Sequence, residues 1–416
     1  MISTTVTAPQ AAVGKGIQHS TRNYLKGSRP ARVTRISVEN PDLNAIKAAQ
    51  PRLKQGILIS QPDPDKEKSL IIACAHRAIS IQYPGARAII SKFDGEHRAV
   101  DISAEIDAPL DIVEKVIDQL AITQLLDLTT SKIRLHNRFQ SPIAERASHT
   151  EDQSNDASFK QLQLRMLPEL SQTTWINGVI DGGVELLSAR QNFGIEIYGE
   201  NRLAILIYVA LLASGVTNTK FSISSNREQN LIGDSDLGTG VLRMSDFGHN
   251  YKSRIEELTR EWSLFPTASK IVKGTVISPI PERNIRVVIG AHKPELIEQF
   301  MRDRVDHLLV GEVIGGAAYA GPLVKPGKSP CTQCLEIGRS ERYGIENLIP
   351  IPTHTQEIPV AVSYLMAGTI VQAILQIIDT SDCELIGSQM CFDYTNPVNN
   401  VTTRFARHPQ CQCQWD

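Results

Sequence analysis

Aromatic residues are scarce, at 5% of 416 residues. That scarcity argues against an aromatic-lined groove for a polymer. Charge of one sign is missing too: the formal net charge is −2, so nothing pulls the chain strongly toward nucleic acid or membrane. No uninterrupted run of about eighteen apolar residues occurs, which predicts no transmembrane helix. The stretch from Ile2 to Val13 is too short in apolar residues, and too poor in basic lead-in, for a secretory signal. No internal repeat or low-complexity tract is visible. With 41% hydrophobic residues, the expectation is a soluble cytoplasmic protein of two or three domains.

What is present is a pair of cysteine pairs. Cys331 and Cys334 form a C-x-x-C in Pro-Cys-Thr-Gln-Cys-Leu-Glu, and Cys411 and Cys413 form a C-x-C near the C-terminus. Two tight thiol pairs far apart in sequence fit a tetrahedral zinc thiolate site. Four thiolates leave no open position for substrate, so such a site is a staple that pins the chain end onto a domain. Three other readings compete. Scattered core cysteines rarely sit as two close pairs. Disulfides suit an oxidising compartment, which the sequence does not suggest. A redox C-x-x-C usually opens a helix after a strand, and Pro330 with a second pair favours a metal instead. Cys74, Cys383 and Cys391 sit among apolar residues and read as core packing.

Along the chain, residues 1 to about 50 are rich in Gly, Pro, Ser and Thr, with Arg22, Lys26, Arg29, Arg32 and Arg35 among them. They read as a flexible, solvated tail. Residues 51–130 read as a small α+β module. Gly56-Ile-Leu-Ile-Ser and Ser69-Leu-Ile-Ile-Ala predict strands around the turn Pro62-Asp-Pro-Asp. Ala86 to Phe93 predicts a short helix ended by Asp94-Gly95. Leu110, Val113, Val116, Ile117 and Leu120 recur at helical spacing, with Asp107 read as N-cap and Pro109 in the first turn. Leu125, Leu126 and Leu128 continue as an extended or helical end. Strands followed by short helices suggest a winged-helix-like module, with too little basic charge to make DNA its ligand. The polar run His149-Thr-Glu-Asp-Gln-Ser-Asn-Asp-Ala-Ser reads as a linker or surface loop, within a linker region 131–170.

From residue 171 to 416 the pattern is α/β. Phe193 to Gly199 predicts a buried strand. Arg202 to Ser214 predicts an apolar helix capped by Gly215, and Val216 to Ser222 a second strand. That βαβ unit predicts a doubly wound, Rossmann-like sheet. Ile285 to Gly290 and Leu308 to Gly311 are further strands. Ile358, Val362, Leu365, Met366, Ile370, Ala373, Ile374 and Ile377 mark a long amphipathic helix.

The order of these features, with Asp236-Leu-Gly-Thr-Gly, Ser245-Asp-Phe-Gly, Gly321-Pro-Leu-Val-Lys-Pro-Gly and the two cysteine pairs, resembles a known family. It is similar to the ThiF/MoeB-type fold of the ubiquitin-activating-enzyme superfamily. It most resembles the branch found in thiazole/oxazole-modified microcin biosynthesis, over roughly residues 50 to 416. The resemblance implies a winged-helix-like peptide-binding module before a ThiF-like domain, and structural zinc on Cys331, Cys334, Cys411 and Cys413. His408, beside the last pair, reads as a surface or packing histidine.

Adenylating members of that superfamily use a Gly-rich turn that lets backbone N–H groups approach phosphate at a helix N-terminus. They also use an acidic residue after the second strand and a further Asp for Mg²⁺. Here the turn is Gly199-Glu-Asn-Arg-Leu-Ala. Gly199 stands, but Asn201, Arg202 and Ala204 occupy the later glycine positions, and Glu200 adds negative charge. Arg202 reads either as a phosphate partner or as a solvated helix-start arginine. No acid appears in Ser222-Ile-Ser-Ser-Asn226, nor in Ala291-His-Lys-Pro. Asp246 and Lys252 loosely echo an active-site neighbourhood, with Asp246 better read as a cap or turn residue. The expectation is a degenerate nucleotide site around Gly199, no ATP, and no catalytic cysteine, since every family-matching thiol goes to zinc.

By resemblance, then, the chain is expected to bind the leader of a ribosomally made precursor peptide. It would present that peptide to a YcaO-type cyclodehydratase that makes azolines from Cys, Ser or Thr. Binding is expected by β-augmentation at an edge strand beside the helix Leu110 to Leu120. Related folds often pair as homodimers. The alternatives are an ATP-dependent adenylyltransferase and a purely structural subunit.

Overall fold

A computed structural model describes residues 49–60, 70–75, 77–129, 153–224, 230–265, 284–290, 294–343, 357–411 and 413. The chain divides into two compact units, one of residues 1–132 with 170–185 and one of 133–169 with 186–416. The turn at Pro62, and the stretches at Asn226 and Ala291, lie outside the described residues.

The first unit is built from short strands and three helices. β1 (Arg52–Leu53) pairs antiparallel with β5 (Leu126–Asp127). β2 (Leu58–Ser60), β3 (Leu70–Cys74) and β4 (Arg77–Ile81) form an antiparallel sheet in that order. Helices α1 (Ala86–Ser91), α2 (Ala99–Ile106) and α3 (Leu110–Ile122) follow. Alternation in β3 and β4 buries Leu70, Ile72, Ile79 and Ile81. Helical spacing turns Val113, Val116, Ile117 and Leu120 of α3 into the same core, each worth roughly 2 kcal/mol of burial. Asp107 is not the N-cap of α3. It takes a left-handed conformation, φ 52°, as the C-cap of α2, and Pro109 occupies the N-cap position. The mixed polar and apolar run from Ala99 to Ile106 hid α2 from the sequence reading, so the capping signal was assigned to the wrong helix end.

Lys54 ties this unit together. Its ammonium donates to the carbonyl oxygens of Thr174 and Val179 and lies 3.9 Å from Asp127. Both side chains are almost fully buried. Burial pulls the Lys54 pKa down and pushes the Asp127 pKa up, each opposed by the charge of the other.

A helix, α4 (Gln153–Thr173), occupies much of the stretch read from sequence as linker. Polar composition alone marked residues 149–158 as loop. Residues 153–158 belong to this helix instead, and α5 (Val184–Ala189) follows further on.

The second unit carries a seven-stranded sheet, ordered β12-β11-β10-β9-β8-β6-β7. Its strands are β6 (Gly194–Tyr198), β7 (Thr219–Ser222), β8 (Asn284–Ile289), β9 (Asp306–Ile314), β10 (Ala317–Val324), β11 (Ser388–Asp393) and β12 (Thr402–Arg404). β7, β6, β8 and β9 run parallel, and β10 to β12 extend the sheet antiparallel. Four of the seven strands of the doubly wound sheet are therefore parallel. The helices are α6 (Arg202–Ala213), α7 (Tyr251–Trp262), α8 (Pro294–Arg302), α9 (Thr332–Tyr343) and α10 (Val360–Thr380). α6 is apolar almost all round and is buried almost all round, from Leu203 to Leu212. It packs beside α10 on one face of the sheet. Although no uninterrupted apolar run exists, α10 is long and apolar enough to cross a membrane by length and composition, and half of that stretch is buried in the protein.

Arg190 locks the base of this core. Its side chain is fully buried and makes two bonds to Asp379, at 2.6 and 3.1 Å. Further bonds reach Glu169 at 2.7 Å and the Ser214 carbonyl at 3.0 Å.

Candidate functional site

In an open α/β sheet, ligands bind where the chain reverses its direction of strand addition, at the carboxyl ends of the strands. Here that point lies between β6 and β8, because β7 flanks β6 on one side and β8 on the other. The loop after β6 leads into α6, whose first N–H groups would face a phosphate. One of them is held by the chain's own side chain. Asn201 caps α6, its Oδ1 accepting from the Ala204 N–H at 2.9 Å. Glu200 reaches across to the loop after β7, its Oε1 accepting from the Ser224 N–H at 2.7 Å.

Gly199 has a packing reason to be glycine. Its φ is 155°, and a Cβ there would stand 2.8 Å from the Ile289 carbonyl oxygen at the end of β8. Arg202, its side chain 24% exposed, is engaged within the chain. It donates to the Leu237 carbonyl at 2.9 Å and pairs with Glu357 at 2.7 Å. Sequence reasoning missed this clasp, which joins residues 35 and 155 positions apart. Tyr364 of α10 completes it by donating to the Thr239 carbonyl.

Asp246 caps a 3-10 turn, Met244–Asp246, accepting from the Arg243 N–H at 2.8 Å, and its other oxygen lies 2.9 Å from Arg254. It is a cap, as expected. Lys252 lies in α7.

The cysteines form the second candidate site. β10 ends at Val324, a turn carries the chain to Pro330, and α9 starts at Thr332. This places Cys331 just before the helix and Cys334 in its first turn. The C-terminal segment brings Cys411 and Cys413 to them. All four thiols are buried, with their Sγ atoms within 4.8 Å of one another. Cys331 lies 3.9 Å from Cys334 and 3.5 Å from Cys411, and Cys334 lies 3.4 Å from Cys413. These distances far exceed a disulfide bond of about 2.05 Å. They match the edge of a tetrahedron, about 3.8 Å, that a Zn–S distance of about 2.3 Å generates. The set fits a metal ion such as zinc.

The thiols differ in their electrostatic surroundings. Burial pushes the Cys331 thiol up, and burial pushes Cys413 up to about 11. Burial acts the same way on Cys334, but the N–H groups of His408 and Cys331 and the neighbouring thiols outweigh it and bring it down to about 7. His408 donates its backbone N–H to Cys334 Sγ at 3.3 Å, and its ring pairs with Glu341 at 3.0 Å. It packs beside the site, as expected. Cys383 is buried in the core, and Cys74 and Cys391 are half-buried.

In the first unit, β2 and β4 are the edges of the three-stranded sheet. Arg77, at the start of β4, donates to the Thr123 carbonyl at 3.1 Å and to Gln124 Oε1 at 3.0 Å, just past α3. One edge of the sheet therefore begins beside the C-terminal end of α3. Leu58 and Ile59 are exposed on the other edge.

No protein-family model matches the sequence, and no curated protein matches it. Solved structures do. E. coli MccB, solved with AMPCPP and MccA, matches with a TM-score of 0.57 at 14% identity, over 88% of this chain and 99% of that one. The microcin C7 biosynthetic enzyme MccB in complex with N-formylated MccA gives 0.58 at 13% identity, over 88% and 99%. PaaA gives 0.55 at 12% identity, over 85% and 99%. At these identities the likeness is one of fold, and the fold is of the ThiF type.

Proposed function

We propose that this protein holds an extended precursor peptide on its first unit and presents it to a separate modifying enzyme. Its ThiF-type body then serves as a scaffold rather than an adenylating centre. The observation that carries this reading is how the loop after β6 is engaged. Asn201 caps one N–H of the α6 N-terminus, Glu200 puts a carboxylate between the loops after β6 and β7, and Arg202 is engaged elsewhere. A triphosphate would meet negative charge where it needs donors.

The fold likeness to MccB solved with MccA supports a peptide as the ligand. An extended leader segment adds to the β4 edge beside α3, main-chain hydrogen bonds giving affinity and apolar pockets giving register. The partner in this reading is a YcaO-type cyclodehydratase that converts Cys, Ser or Thr of the peptide into azolines. The four cysteines hold zinc, which supplies structural cross-linking when bound and no open coordination position.

A second reading keeps the adenylyltransferase. The fold likeness also covers MccB solved with ATP, at 14% identity and a TM-score of 0.56. Pyrophosphate exchange dependent on the peptide would favour it.

The test uses a fluorescently labelled short Cys/Ser/Thr-rich peptide encoded beside this gene. The full chain should bind its leader, and deletion of residues 51–130 should abolish binding while the metal content of the remainder stays intact. Retained affinity in the deletion would place the peptide site elsewhere.

A further inference from the structure

The chain carries its own candidate for the β4 edge. Residues 1–48 lie outside the described residues and hold seven Lys or Arg against two acids, Glu39 and Asp42. Among them runs Arg32-Val-Thr-Arg-Ile-Ser-Val. Thr34, Ile36 and Val38 are β-branched and share one parity with Arg32, while Arg35 and Ser37 take the other. That alternation is a strand signature.

The place where this segment joins the fold is described. Ala49 is buried in the core of the first unit, and the Gln50 N–H donates to the Leu128 carbonyl at 3.1 Å. Leu128 lies just past the end of α3, and Arg77 ties the start of β4 to Thr123 and Gln124 at that same end. The segment therefore leaves the core close to where β4 and α3 meet. Residues 39–48 span at most roughly 33 Å, against about 20 Å for the length of α3.

Charge complementarity selects the occupant. α3 carries Asp111, Glu114 and Asp118 against one cation, Lys115, which pairs with Asp111 at 3.0 Å. Glu114 and Asp118 are half-buried one turn apart, beside the buried stripe of Val113, Ile117 and Leu120. Neither has a hydrogen bond or ion pair among the described residues. Like charges at this spacing repel, and an external cation relieves them.

We propose that residues 32–38 add to the β4 edge beside α3 as an intramolecular strand, Arg32 facing Glu114 and Asp118, so that an incoming peptide must displace them. The competitor rests on the peptide reading above; the contact itself does not. Tethering gives an effective concentration on the order of millimolar, so a weak contact suffices. A segment docked about nine-tenths of the time lowers the apparent affinity for a leader about tenfold.

The experiment is hydrogen exchange of the full chain, beside Ile36→Pro and the pair Glu114→Lys with Asp118→Lys. Wild-type amides 33–38 should exchange about tenfold slower than in either variant, the factor that such docking gives, at unchanged far-UV circular dichroism. Should the α3 variant misfold, Arg32→Glu takes its place. Wild-type amides that exchange like an unstructured peptide overturn the proposal. So does protection that survives the charge reversal, which would move the segment to the β2 edge and its exposed Leu58 and Ile59. Anisotropy of the labelled peptide encoded beside this gene separates the two readings. Affinity about tenfold higher in Ile36→Pro supports displacement. Equal affinity in both chains, with the amides protected, overturns it. Protection that depends on α3, with no peptide bound by either chain, supports the contact and removes the leader reading instead.

Discussion

Asn201 decides more than its single hydrogen bond. It supplies the cap that α6 needs and removes a donor that a nucleotide would need. Asn201→Ala should cost about 1 kcal/mol in thermal or urea unfolding; an unchanged midpoint would deny the cap. At the cysteines, replacing Cys411 and Cys413 together by Ser should release the metal and destabilise the second unit by several kcal/mol. Metal analysis and a melting curve check this, and full retention with an unchanged curve would remove the staple. His307 carries a pH signature. It is fully buried, its Nδ1 donates to the Val305 carbonyl at 2.9 Å, and its Nε2 has no hydrogen-bond partner among the described residues. Burial holds its pKa below the ordinary 6.5. The unfolded chain therefore takes up a proton that the native chain refuses. The His307 contribution is present above about pH 6.5 and is lost as pH falls through the lower native value. Unfolding midpoints at pH 7.5 and 5.5 should differ less in His307→Gln than in wild type, and equal differences would contradict this.

Among the elements, legibility followed the range of the determining contacts. α6 and the strands β6, β8 and β9 were legible because their own apolar runs specify burial. The cysteine pairs were legible because their spacing is local, although only folding brings position 331 to position 411. α2 was missed, and with it the role of Asp107, because a left-handed C-cap and an N-cap draw on the same short polar residues. The antiparallel strands β11 and β12 were missed; β12 is a three-residue edge strand, which no single pattern separates from a loop. The contacts of the loop after β6 were not legible in the sequence. Glu200 to Ser224 and Arg202 to Glu357 are long-range bonds that no local pattern encodes. The buried Arg190 network makes its own prediction. Arg190→Met leaves Asp379 buried without its cation and should cost about 3–5 kcal/mol. A double variant that also replaces Asp379 by Leu should recover much of that loss, and strict additivity would argue against coupling.

At the scale of the whole molecule, two units divide the work in this account. One offers an edge strand beside a helix, and the other offers a ThiF-type sheet stapled at its end by four thiols. The sequence departs from an adenylating pattern at the loop after β6, where Asn201 caps α6 and Arg202 bonds to Leu237 and Glu357. The central claim is therefore that the body binds no nucleotide by itself. Titration calorimetry of the metal-loaded full chain with ATP and Mg²⁺ tests it most directly. The account predicts no detectable heat of binding, with or without the precursor peptide. Saturable micromolar binding would contradict it, and would return Gly199 and the α6 N-terminus to the role of a working adenylation site.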